Sequence, residues 1–124
     1  MNSVNREILL SFWKLHILHH ARWEPIHGQG ILEELRRHGY EISPGTLYPL
    51  LGRMERLGWL KGKTDPHGGR RARRDYRLAA AGRRVLASIR GPLRELYEEI
   101  EEHPHPAGAA AREAAGPAPG GPRA

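Results

Sequence analysis

The chain has no cysteine. Disulfides, thiolate catalysis and cysteine-ligated zinc are therefore excluded. It also lacks a long apolar run. The longest, Ile8 to Leu18, is broken by Lys14 and His16, and a span needs roughly 20 mainly apolar residues. With polar residues from Met1 to Arg6 in front of it, the run is neither a signal peptide nor a membrane span, and a cytoplasmic protein is expected. No glycine-rich phosphate loop, nucleophile motif or paired-carboxylate arrangement is present, so no enzyme and no cofactor are expected. Glu98, Glu99, Glu101 and Glu102 read as the solvated face of a helix. From Pro104 to Ala124 there is no large apolar residue to bury, only Ala, Gly and Pro with a few polar residues among them. Residues 103–124 are predicted to be a disordered tail. No internal repeat is visible.

What remains is enough for one small domain. Apolar residues make up 39% of the 124, charged residues 27%, and the net charge is +6. A small basic domain points to an anionic partner, with nucleic acid the first candidate.

Five segments follow. Val4 to Arg22 reads as a helix whose apolar residues cover nearly the whole circumference, so it should be buried on more than one side. One side would meet the domain core and another a partner subunit. Gly28 to His38 carries a narrow Ile31, Leu32, Leu35 stripe and ends before Gly39. Ser43-Pro44 opens a third helix as N-cap and first helical residue. Leu47, Leu50, Leu51 and Met54 then form one face. Pro49 inside it removes a hydrogen bond, so either a distorted first turn or a regular helix that begins only at Thr46 is expected. Trp59 to Leu78 reads as a hairpin around the turn cluster Asp65-Pro66-His67-Gly68-Gly69. The last segment, about Ala80 to Glu102, places Leu86, Ile89, Leu93, Leu96 and Ile100 at heptad spacing. Gly91-Pro92 predicts a kink or a break there.

Three helices and a basic hairpin are the order of a winged helix-turn-helix. The predicted class is mainly α with a small β-hairpin, in residues 1–78, followed by a dimerisation helix in 79–102. The third helix would present its N-terminus to DNA, with the hydroxyls of Ser43, Thr46 and Tyr48, the open backbone of Gly45, and Pro49 and Arg53 beside them. From Lys61 to Arg77 there are seven basic and two acidic residues, so this segment alone carries +5 of the total charge. Lys61, Lys63, Arg70, Arg71, Arg73, Arg74 and Tyr76 are the wing residues expected at DNA. Ile8, Phe12 and Leu15 with Leu86, Ile89, Leu93, Leu96 and Ile100 are expected at a dimer interface. Trp13 and Trp23 are the aromatics expected to line any ligand pocket.

The segment Ser43-Pro44-Gly45-Thr46-Leu47-Tyr48-Pro49-Leu50-Leu51-Gly52-Arg53-Met54-Glu55-Arg56-Leu57-Gly58 resembles the recognition-helix signature of the PadR family of transcriptional regulators, Pro49 included. Met54 replaces the usual leucine. His27-Gly28 is similar to the family's H-G-Y, with Gln29 in place of the tyrosine. Arg73 to Leu78 resembles its wing strand, and Ala79 stands where a threonine caps the last helix. A single short last helix resembles the smaller subgroup. The resemblance implies a homodimer on an inverted-repeat DNA operator, repressing until a small-molecule effector releases it. Two alternatives stand beside this reading. His16, His19 and His20 on the first helix suit a metal-responsive regulator. A protein-interaction module would carry a neutral or acidic wing, the opposite of this one. No metal ligand set is assigned from the sequence alone.

Overall fold

The computed structural model describes residues 3–69 and 72–101. The expected tail, Glu102, Arg70 and Arg71 lie outside the described residues. The element order is α1 (Ser3–Ala21), β1 (Ile26–His27), α2 (Gly28–Arg37), α3 (Pro44–Arg56), β2 (Leu60–Thr64), β3 (Arg74–Leu78) and α4 (Ala80–Glu101). The strands form one antiparallel sheet in the order β1-β3-β2. This is the expected mainly helical class with a winged hairpin, enlarged by a third strand.

Local sequence explains each boundary. His27 caps α2, its Nδ1 accepting from the Gly30 N–H at 3.1 Å. Gly39 follows with φ of 95°, a left-handed value that costs glycine little and other residues more. Ser43 caps α3, its Oγ accepting from the Thr46 N–H at 3.3 Å. The helix is regular from Pro44 onward in spite of Pro49. The carbonyl that Pro49 leaves without a donor belongs to Gly45, which is exposed and within reach of water. Gly58, with φ of 80°, ends α3 and turns the chain into β2.

The core lies where the three helices meet the sheet. Trp13, Ile17, Leu18 and Ala21 of α1, the Ile31-Leu32-Leu35 stripe of α2 and the Leu47-Leu50-Leu51-Met54 face of α3 are all buried. Ile26, Leu60, Tyr76 and Leu78 close it from the sheet side. Each such aliphatic side chain contributes about 1.5–3 kcal/mol when taken out of water. The β2–β3 register pairs Leu60 with Leu78 and Gly62 with Tyr76. The alternation of buried Tyr76 and Leu78 with exposed Arg77 follows from the period of the strand.

The chain clusters into two compact units, Met1–Leu86 and Ala87–Ala124. In the first, the Ala79 N–H donates to the Trp59 carbonyl at 2.9 Å, which seats the first turn of α4 beside β2. Gly82 is buried there, and a Cβ on it would stand 2.2 Å from that same carbonyl oxygen. In the second unit α4 runs without a break through Gly91 and Pro92. The predicted break into two helices does not occur. The backbone around Pro92 is exposed, so water can take the place of the missing donor.

Candidate nucleic-acid interface

α3 is exposed at its cap and first turn, Ser43, Pro44 and Gly45, and further along at Tyr48, Pro49 and Arg53, while its leucines face inward. Its hydroxyls are already employed. Ser43 is the cap, and Thr46 Oγ1 accepts from Arg6 of α1 at 3.0 Å. Arg6 thus brings a guanidinium to the positive end of α3, where it adds to the attraction for phosphate. Sequence reading missed Arg6, because its place depends on how α1 packs and no local pattern marks it.

Tyr48 is 47% exposed, and its ring rests against the backbone of Gly28. A Cβ at Gly28 would stand 2.2 Å from Tyr48 Cε1 and 2.7 Å from its hydroxyl oxygen. The His27-Gly28 pair therefore caps α2 and also leaves the space in which the Tyr48 ring sits.

The wing divides into residues that face solvent and residues that build it. Lys61, Lys63 and Arg73 are exposed. Arg73 pairs with Asp75 at 3.1 Å, both well exposed. Lys61, Lys63 and Arg53 make no ion pair with another described residue. Arg74 is differently placed. It donates to Glu55 of α3 from Nε at 3.3 Å and from Nη2 at 2.5 Å, and to Thr64 Oγ1 at 2.6 Å. Its guanidinium also stands 5.8 Å from the Tyr76 ring centroid. Gly62 makes this possible, because a Cβ there would meet Arg74 Nε at 2.6 Å. The pair shifts both groups toward their charged forms: the Arg74 hydrogen bond holds the Glu55 carboxyl below its usual pKa, and Glu55 raises that of Arg74. Arg74 thus ties the wing to α3 through a partly exposed pair. Tyr76 is buried at 7% exposure, and burial pushes its hydroxyl pKa up. Of the expected wing residues, these two support the surface on which Lys61, Lys63 and Arg73 are exposed.

The remaining expected residues separate cleanly. Ile8 is 59% exposed and Phe12 41%, while Leu15 is half-buried. Leu93, Leu96 and Ile100 are exposed on α4, Ile89 is half-buried, and Leu86 packs against the core. Trp13 is inside the core, edge-on to Tyr40 with ring centroids 6.2 Å apart. Trp23 is 71% exposed beneath the Arg22 guanidinium.

Comparison with known proteins places this arrangement. The model of the transcriptional regulator PadR-like family matches residues 17–88. The chain is 47% identical over 95 residues to the transcriptional regulator Rv3488 of Mycobacterium tuberculosis, covering 77% of this chain and 88% of that one. A PadR family regulator from Eggerthella lenta is 30% identical, with a TM-score of 0.63 over 77% of this chain and 87% of its own. Bacillus subtilis PadR in complex with operator DNA shares the fold at 20% identity, with a TM-score of 0.55 over 61% of this chain and 45% of its own.

Proposed function

The chain belongs to the PadR-like family of transcriptional regulators, and from that we propose that it is a DNA-binding repressor that acts as a homodimer and is released by a small-molecule effector. One observation carries the reading. Glu55 in the last turn of α3 is bound to Arg74 at the start of β3, so helix and wing form one unit that carries the exposed first turn of α3, Tyr48 and the cations Lys61, Lys63 and Arg73 on its surface. Tyr48 and Arg53 read the major groove. Lys61, Lys63 and Arg73 take phosphates beside it. The operator complex of the Bacillus subtilis relative supports the same use of the fold.

A dimer follows from surface that one copy leaves uncovered. Ile8 and Phe12 on α1 and Leu93, Leu96 and Ile100 on α4 are large apolar side chains open to water. A second copy covers them. Two recognition helices then enter successive major grooves about 34 Å apart, on an inverted-repeat operator.

The test is fluorescence anisotropy on the DNA upstream of the protein's own gene, over a salt series, against a random duplex of equal length. Tight, steeply salt-dependent binding to the first and weak binding to the second is expected. Tyr48→Ala should lose the preference for the operator. Lys61→Ala and Arg73→Ala should weaken binding to both duplexes and flatten the salt slope. No binding to either duplex at low salt would overturn the proposal.

A further inference from the structure

Three imidazoles converge where α1 meets the end of α2. His16 and His20 stand one turn apart on α1, and His38 is the residue that closes α2. One ring nitrogen from each lies within 4.8 Å of the other two. The His16 and His38 ring centroids are 4.9 Å apart. A carboxylate shares the place. Glu34 Oε2 is 3.3 Å from His38 Nε2 and 3.9 Å from His20 Nε2. The last distance is too long for a hydrogen bond, and His20 Nε2 is buried with no hydrogen-bond partner. A buried polar atom without a partner is costly, and native structures rarely keep one without a reason. The Tyr40 hydroxyl, 3.2 Å from His16 Nε2, fixes the orientation of the His16 ring.

We propose that His16, His20 and His38 form a binding site for a divalent transition metal ion of the zinc type, with Oε2 of the neighbouring Glu34 drawn in as the fourth ligand while its Oε1 stays paired with Arg37. The donor set selects that class. Imidazole nitrogen suits zinc, cobalt and nickel, whereas magnesium and calcium require oxygen ligands. Four ligands from three histidines and one carboxylate match the tetrahedral preference of zinc. Bonds of about 2.1 Å place tetrahedral ligands roughly 3.4 Å apart, so the nitrogens need to draw together by little more than about 1 Å. Half-buried His16 and His20 and exposed His38 have room for that adjustment. Ligation also requires neutral imidazoles, and burial lowers the pKa of both His16 and His20. His19, the third histidine of α1, is exposed and stands outside the cluster. An ion here would bind α1 to the residue from which the chain turns toward α3, bracing the approach to the recognition helix.

The site is read by metal binding alone and does not depend on the DNA-binding reading. Zinc is titrated into the full chain by calorimetry, and cobalt is followed by its visible d–d absorption. One ion per chain, with a dissociation constant in the micromolar range or tighter, and cobalt bands that zinc abolishes are expected. His38→Gln keeps an exposed polar residue at the end of α2, so it should fold, and should weaken zinc at least tenfold. Glu34→Gln should weaken it as well, and His19→Ala should not. No heat and no cobalt bands would overturn the site. So would binding that survives undiminished in folded His38→Gln, since the ion would then lie elsewhere.

Discussion

Gly28→Ala is the substitution that most directly separates folding from recognition in this protein. The new methyl group would stand 2.2 Å from Tyr48 Cε1 and 2.6 Å from Cζ. Carbon atoms in contact prefer about 3.5–4.0 Å, so the ring has to move by more than about 1 Å. It can do so outward, because Tyr48 is 47% exposed. Alanine gains up to about 1 kcal/mol of helix propensity over glycine, less at a first helical position. The packing between ring and glycine that is lost is of similar size. Stability should therefore change by no more than about 1 kcal/mol, which is a shift in Tm of about 4–8 °C at most for a domain this small. DNA selectivity should suffer more, since one well-made base contact is worth about 1–3 kcal/mol of discrimination. A tenfold loss of preference for the operator over a random duplex is expected, measured by anisotropy beside a thermal melt followed by circular dichroism. The double variant with Tyr48→Ala should be no less selective than Tyr48→Ala alone, because the two changes act through one ring. Full selectivity in Gly28→Ala would refute the argument. A fall in Tm well beyond that bound would refute it differently, by showing that the ring is not the part that yields.

Gly82→Ala should destabilise the fold by about 1–3 kcal/mol in spite of the better helix former, because the added Cβ meets the Trp59 carbonyl oxygen at 2.2 Å and a backbone group cannot swing away. A urea midpoint that stays or rises would remove that packing from the account. Arg74→Gln should cost about 1 kcal/mol, a figure held down by the solvent exposure of the pair, and should loosen the wing from α3. The same pair sets a pH dependence. The Glu55 pKa is depressed in the folded protein, so its stabilisation is present above the unfolded pKa and is lost as pH falls through the folded one. Denaturation curves from neutral pH down into the range where carboxyls protonate should fall less steeply for Glu55→Gln than for the parent. Leu93→Glu with Leu96→Glu should leave a monomer by light scattering, and an unchanged dimer would displace the proposed seam from α4.

The parts of this fold that depend on neighbours in the chain were readable in advance, and the parts that depend on neighbours in space were not. α3 is the clearest case. Its cap, its leucine spacing and its closing glycine lie within sixteen consecutive residues, from Ser43 to Gly58, and all of them act as their chemistry suggests. β1 is the opposite case. Two residues carry no period, and Ile26 and His27 become a strand only because Tyr76 and Asp75 arrive beside them. The same distinction runs through the functional residues. By charge alone Arg74 is indistinguishable from Arg73, yet one is committed to Glu55 of α3 and the other pairs with Asp75 on the surface. What decides between them is Gly62 on the facing strand, which leaves room for a guanidinium that any Cβ would displace. The histidines make the point most sharply. Reading α1 by itself groups His16, His19 and His20, since all three fall within five residues. Packing α1 on α2 removes His19 and adds His38, with Glu34 beside it, and only then is there a donor set that could enclose an ion. Spacing along one helix proposes pairs of ligands. A third and fourth require a second element, so a site of this kind becomes visible only once the tertiary contact is known.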